Sequence, residues 1–271
     1  MTARAAIPQR ASPSALLSDV WYTLVYYPPV DRARVEAERR AVWENALSAA
    51  GLAPGELSRA VDRVELEAHR EELRGRTPPL ARRIRRVARS LRISLDVRRM
   101  VRDFDAIGRR CPPRAVPGAL AALRDLRARG YRLGLVSNVV FESAAGARRM
   151  LRHRGLRDRV DAVVLSADDG VAKPDPRPFL RCLKRLGVPA TNAWYIGDMP
   201  NDVVGARAAG LRPIRFVGPA SIGPRRLAVP RARVRPDFDL RRWSELPGRL
   251  ERAGATRRAR VPASSRRSAH G

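Results

Sequence analysis

The residues best suited to chemistry fall in a few short segments of the chain. These are Asp19-Val20-Trp21-Tyr22-Thr23, Ser137-Asn138, Lys173-Pro174-Asp175-Pro176 and Gly197-Asp198-Met199-Pro200-Asn201-Asp202. Each follows an apolar run of the kind that makes a buried strand. A carboxylate such as Asp19 at a strand end can attack phosphorus or carbon and form a covalent ester. Asp198 and Asp202, together with Asp19, make an oxygen donor set for a hard cation such as Mg²⁺. Such an ion screens the repulsion between an anionic nucleophile and an anionic phosphate. Lys173 would neutralise charge on the nucleophile and the transition state, and Ser137 would donate a hydrogen bond to a phosphoryl oxygen. Singly, each residue is ordinary, since a lone Asp after a strand is commonly a helix cap or turn residue. The order of all four segments is what carries the reading.

The elements that must position them follow from periodicity. Candidate strands lie at 15–17, 132–136, 162–165, 193–196 and 213–217. Helical patterns occupy 119–129, 142–152, 178–186 and 202–209, and Gly130, Gly155, Gly187 and Gly210 stand just past them, where a C′ glycine is common. Strands alternating with helices of this length predict βαβ units, hence an α/β fold with a parallel sheet. In such a sheet ligands bind outside the carboxyl ends of the strands, the rim on which all four segments fall.

The stretch 30–112 differs, with apolar residues at helical spacing and no strand candidate. Val35, Val42, Trp43, Ala46 and Leu47 make one stripe; Ile84, Val87, Ala88, Leu91 and Leu95 make another, with arginines opposite. The expected organisation is a loose leader at 1–14, a core at 15–29 and 113–220, and a helical insert at 30–112. An Arg/Pro-rich segment at 221–271 completes it, expected to be disordered at least from 252. Hinges between insert and core are expected at 26–30 and 111–117.

Composition bounds the class. The 271 residues are 44% hydrophobic but only 5% aromatic, enough for a sizeable core built mainly from Leu, Val, Ile and Ala. Cys111 and Cys182 cannot form a disulfide framework, and no apolar stretch is long enough to cross a membrane. The N-terminus has no apolar signal core, so a cytoplasmic protein is expected. The formal net charge is +28, and of 55 basic residues only Lys173 and Lys184 are lysines. So general an excess of arginine reads as compositional bias, and nucleic acid is a partner only through nonspecific basic charge. Nine arginines between 82 and 102 read as a solvated helix face. His69, His153 and His270 have no metal-ligand spacing.

The four segments in this order, with a helical insert after the first, resemble the haloacid dehalogenase (HAD) superfamily of hydrolases. The resemblance covers about 14–220 and implies a Rossmann-like three-layer parallel-sheet core with a helical cap inserted after the first strand. It implies Asp19 as nucleophile, Thr23 as the hydroxyl residue of the first motif, Ser137 as the second motif and Lys173 as the third. Ser137 and Asn138 would bind substrate. Mg²⁺ would be held by Asp19, the backbone carbonyl of Trp21 and Asp198, with Asp202 a direct ligand or one layer behind.

The departure is Trp21. Phosphatases of the superfamily carry an Asp there, a general acid/base that protonates the leaving group; losing such a group costs about 10²–10⁴-fold in rate. Haloacid dehalogenases proper have an aromatic residue there and use no metal, and Asn138 is similar to theirs, but Gly197-Asp198 is similar to the phosphatases. Three acids close together would repel strongly without a cation. The expectation is therefore a Mg²⁺-dependent phosphohydrolase acting on a small phosphorylated metabolite through an aspartyl-phosphate. Its rivals are a 2-haloacid dehalogenase-like hydrolase and a catalytically impaired binding protein of the same fold. Substrate identity and oligomeric state are left open.

Overall fold

Strand β1 (Ala15–Ser18) is buried along its length, and its run Ala15-Leu16-Leu17 is apolar because the strand is covered on both faces. The structure, a computed structural model, describes residues 14–51, 54–219 and 234–260, the side chains of 54–57 and 254–260 excepted. After β1 come β2 (Val25–Tyr26), α1 (Pro29–Ser48), α2 (Pro54–Leu73), α3 (Leu80–Leu91), α4 (Val97–Arg110) and β3 (Arg114–Ala115). The chain continues as α5 (Ala119–Ala128), β4 (Arg132–Ser137), α6 (Ala144–His153), β5 (Ala162–Leu165) and α7 (Arg177–Leu186). It ends with β6 (Ala193–Gly197), α8 (Pro200–Ala208), β7 (Arg212–Phe216), β8 (Phe238–Leu240) and α9 (Leu246–Arg260).

Among the described residues the main sheet has six strands in the order β5-β4-β1-β6-β7-β8, every pairing parallel. The Rossmann-like fold read from the sequence is the fold observed. Strand alternation sorts side chains to the two faces. Leu16, Leu133, Leu135, Ile196 and Ile214 pack against Leu123 and Leu126 of α5, Met150 and Leu151 of α6, and Leu246 and Leu250 of α9. Leu17, Val136, Val164 and Tyr195 pack against Phe179, Cys182 and Leu183 of α7 and Ala206 of α8. The order turns back at β1, so the chain's crossovers open a crevice at the carboxyl ends of β1, β4 and β6.

Helices α1 to α4 build a separate core from Trp43, Leu47, Ile84, Met100 and Phe104, with Trp43 edge-on to Phe104 at 5.9 Å between ring centroids. The antiparallel ribbon β2–β3, pairing Val25 with Ala115, joins this layer to the sheet. Strands so short left no pattern in the sequence; Tyr26 and β3 lie within the stretches 26–30 and 111–117. From α4 the buried Asp105 accepts from Ser143 N at 2.8 Å and Ser143 Oγ at 2.6 Å and pairs with Arg149 at 2.9 Å. Asp105 thereby fixes the start of α6, and Gly146 makes room for it: a Cβ there would come within 2.2 Å of Asp105 Oδ1.

Two expectations are corrected. The core does not close at 220, because β8 extends the sheet and Trp243, Leu246 and Leu250 are sealed inside it. Helix α9 runs to Arg260; 1–13, 220–233 and 261–271, and with them most of the segment expected to be disordered from 252, lie outside the described residues. The arginine-rich stretch 82–102 is not one solvated face. It is broken at Arg92, which ends α3 in the left-handed conformation, and Arg83 is buried, bonded to Glu65 and to the Val140 carbonyl. An arginine can be buried when its donors are met by a carboxylate and a carbonyl.

Candidate active site

The four segments meet at the crevice. Asp19 directly follows β1, Ser137 ends β4, and Asp198 directly follows β6. Asp19 and Asp202 are buried and Asp198 partly so, and each offers a carboxylate oxygen within 4.8 Å of the others. Lys173 reaches them from the loop after β5. Its Nζ lies 2.8 Å from Asp19 Oδ1 and 2.6 Å from Asp202 Oδ1, with only 2% of the residue exposed.

Asp202 sits in the first turn of α8 and uses both oxygens. Oδ1 accepts from Lys173 Nζ and from the Tyr195 hydroxyl at 3.1 Å; Oδ2 accepts from Met199 N at 2.9 Å, tying the helix start together. Gly197 is required by this approach, for a Cβ there would lie 2.3 Å from the Asp202 carboxyl carbon. Asp19 is less satisfied: Oδ1 is sealed and, despite its nearness to Lys173, receives no well-directed hydrogen bond from the described residues.

Burial pushes the Asp19 carboxyl up to about 6, with Lys173 opposing and Asp202 adding to the rise. Asp198 is raised well above the usual carboxylate range by burial and by its two acidic neighbours. Burial pulls on Lys173 in the opposite sense, yet the two carboxylates outweigh it and hold its pKa above the ordinary value. The cluster thus carries three acids against one ammonium, a balance that a divalent cation would complete. Asp19 and Asp198 have oxygens free of strong protein donors, and the residues present fit such an ion.

The remaining predicted residues are sorted by their contacts. Thr23 is fully buried and its Oγ1 lies 3.4 Å from Asp198 Oδ1. Among the described residues Ser137 Oγ makes only a long 3.5 Å contact, with the Asn138 carbonyl, so its hydroxyl has little to hold it there. Asn138 is tied to the lysine loop and to the helical layer. Its Oδ1 accepts from Lys173 N at 2.9 Å, while Nδ2 donates to the Lys173 carbonyl at 3.1 Å and to Glu72 Oε1 at 2.8 Å. Both amide hydrogens are engaged, and the side chain orients the lysine loop.

Trp21 supplies no carboxyl at its own position. Its indole stacks on Tyr27 at 5.4 Å and packs between the sheet core and the helical layer. Tyr22 takes a left-handed φ of 57°, a conformation that costs a residue with a Cβ about 1 kcal/mol. The tight 20–25 loop, closed by Tyr22 N to Val25 O at 2.6 Å, holds it there.

Sequence reasoning missed several supports. Tyr195 hid in the apolar strand β6, and its hydroxyl joins Lys173 Nζ at 3.0 Å, Asp202 and the Val136 carbonyl at 3.0 Å. A lone hydroxyl in a fully buried strand was the available signal, since buried hydroxyls require partners. Trp243 lies in the segment assigned outside the core, yet its Nε1 donates to the Thr23 carbonyl at 2.8 Å. Glu72 comes from α2 and has no local pattern to mark it.

Residues 31–210 match the family model of haloacid dehalogenase-like hydrolases. The chain is 44% identical over 95 residues to phosphoglycolate phosphatase of Rhodospirillum rubrum, 35% of this chain and 38% of that protein. It is 34% identical over 138 residues to phosphatase MT3486 of Mycobacterium tuberculosis, 50% of this chain and 60% of that protein. The matched segments therefore span about two fifths to three fifths of those relatives' lengths. The fold is similar to that of a 2-haloacid dehalogenase from Pseudomonas syringae pv. Tomato DC3000, with a TM-score of 0.62 and 24% identity over 89% of this chain and 99% of that one. With its rim of Asp19, Ser137, Lys173 and Asp198 and a family match over most of its length, the chain belongs to the haloacid dehalogenase-like hydrolases.

Proposed function

We propose that the protein is a Mg²⁺-dependent phosphohydrolase that acts on a small phosphorylated metabolite through an aspartyl-phosphate on Asp19. The observation that carries this reading is the cluster of Asp19, Asp198 and Asp202, two of which, Asp19 and Asp202, meet the Lys173 ammonium. Asp19, Asp198 and the Trp21 carbonyl would hold the ion, with Asp202 one layer behind because Lys173, Tyr195 and Met199 engage it. Bound Mg²⁺ supplies Lewis-acid screening of the phosphate charge. Relatives named as phosphatases support the class of substrate.

The residues then divide the work. An Asp19 oxygen attacks phosphorus, the bond to the leaving-group oxygen breaks, and that oxygen takes a proton from solvent. Water next attacks the aspartyl-phosphate, releasing inorganic phosphate and restoring the carboxylate. Lys173 offsets the charge of Asp19 throughout, and Ser137 donates to a phosphoryl oxygen. With Trp21 in place of an acid, good leaving groups such as acyl phosphates are favoured.

The aromatic Trp21 is the one observation on the side of a dehalogenase. Asn138 does not add to it, because its amide is committed to Lys173 and Glu72. The basic surface attracts nucleic acid only in a nonspecific, salt-dependent way. Among the described residues no helix is long and apolar enough to cross a membrane.

The test is hydrolysis of acetyl phosphate and an activated aryl phosphate, with Mg²⁺ and with chelator, by the native protein and Asp19→Asn. Metal-dependent turnover lost in Asp19→Asn supports the reading. Absent turnover on both, together with metal-independent halide release from a 2-haloacid, transfers the assignment to the dehalogenase.

A further inference from the structure

Glu72 stands in the last turn of α2, the helical layer above the sheet, in a chain with 55 basic residues. Among the described residues its carboxylate nevertheless pairs with no arginine or lysine. It meets a neutral amide: Asn138 Nδ2 donates to Glu72 Oε1 at 2.8 Å. That same amide grips both main-chain groups of Lys173, accepting from its N–H at 2.9 Å and donating to its carbonyl at 3.1 Å.

The turn that follows α2 approaches the same loop. Thr77 N donates to the Gly170 carbonyl at 2.9 Å and Ala172 N to the Gly75 carbonyl at 2.9 Å, while Arg76 bridges Val171 in antiparallel fashion. Gly75 is needed for the contact. It has a φ of 78°, and a Cβ there would meet the Asp175 Cβ at 2.9 Å. Residues 170–172 are thus paired to the cap immediately before Lys173, and Asn138 clasps Lys173 itself under Glu72. At the far end of that lysine, Nζ meets Asp19 and Asp202.

We propose that Glu72 is a positioning residue: the cap carries it onto Asn138, and through Asn138 it sets the Lys173 loop so that the ammonium stands against Asp19. The site is then assembled only with the cap docked, because part of the scaffold for its cation belongs to the cap. A misplacement of about 1 Å in such a group costs up to about 10²-fold in rate. This inference rests on Lys173 acting in the chemistry proposed above, but its main readout does not require turnover.

The protein has just two lysines, and they differ in exposure: Lys173 is buried and Lys184 exposed. Labelling with an amine-reactive ester, followed by peptide mass spectrometry, reads the Lys173 environment with Lys184 as internal reference. In Glu72→Ala the Lys173/Lys184 labelling ratio should rise at least about 5-fold, while Glu72→Gln, which keeps an acceptor, should match the native protein. On acetyl phosphate, kcat of Glu72→Ala should fall on the order of 10-fold with KM within about twofold, and Glu72→Gln should restore it. Should Glu72→Ala fail to fold, Glu72→Asp takes its place, being charged but one methylene too short to reach Asn138. A native labelling ratio in the Ala or Asp variant overturns the proposal, whatever the activity. Native kcat in a variant with a raised ratio overturns the catalytic part. If the native protein hydrolyses no phosphate, the phosphohydrolase reading fails, and the ratio still decides whether Glu72 positions Lys173.

Discussion

Lys173 Nζ stands 2.8 Å from Asp19 Oδ1, and the two side chains are almost sealed from solvent. A buried ion pair contributes little net stability against an apolar replacement, but removing one partner strands the other. Lys173→Met should therefore lower unfolding stability by about 3–5 kcal/mol in denaturant titration, because it strands Asp19 and Asp202 together. It should also abolish turnover. Stability within about 1 kcal/mol of native would show that water already screens the pair.

Tyr195 closes that network from the strand side. Tyr195→Phe keeps the ring packed edge-on to Phe179 at 4.7 Å and removes only the hydroxyl shared by Lys173, Asp202 and Val136. The expected cost is about 1–3 kcal/mol, read as a lower melting midpoint. A loss much smaller than this would mean that Lys173 and Asp202 hold each other without the phenol.

Trp21 is the position at which chemistry can be added. Trp21→Asp would supply an acid and remove the stack on Tyr27. Turnover of an alkyl phosphate should rise on the order of 10-fold or more relative to acetyl phosphate, whose leaving group needs no proton. The variant should melt earlier, since a partly buried indole is lost. An unchanged ratio of the two rates would show that an acid at residue 21 does not reach the leaving group.

Glu142 gives the fold a pH dependence unrelated to the acid cluster. Burial pushes its carboxyl up to about 7, with Arg39 of α1 and Arg149 of α6 opposing and Asp105 of α4 reinforcing the rise. Tyr27 also faces it, and among the described residues Glu142 Oε2 has no hydrogen-bond partner. With the folded value raised, the contribution to stability is full below the unfolded value of about 4.5 and fades as pH rises toward 7. The difference is worth about 3 kcal/mol. Glu142→Gln should thus melt several degrees above the native protein at pH 8 and close to it at pH 4.5. An equal offset at both pH values would show that Glu142 does not titrate across this window.

Much of the molecule was written locally. The five predicted strands, the helices between them and the placement of Asp19, Ser137, Lys173, Asp198 and Asp202 on one rim follow from hydrophobic period and strand-end placement, which are properties of neighbouring residues. β8 was missed because Phe238-Asp239-Leu240 is too short to show a period, and its burial comes from docking on β7. Trp243 was set outside the core for the same reason, although it supports Thr23.

The tertiary structure decided which of the polar residues face the crevice. Asn138 read as a substrate contact because it follows Ser137, and only the approach of α2 and the Lys173 loop shows that its amide is already taken. Asp202 read as an ion ligand or a residue one layer behind, and only the tertiary structure shows that Lys173, Tyr195 and Met199 also bond its oxygens. Sequence by itself determined the kinds of groups and the strands that end in them. Which group satisfies which depends on distances between residues far apart in the chain, and hydrogen bonds are too short-ranged for spacing along the sequence to specify them.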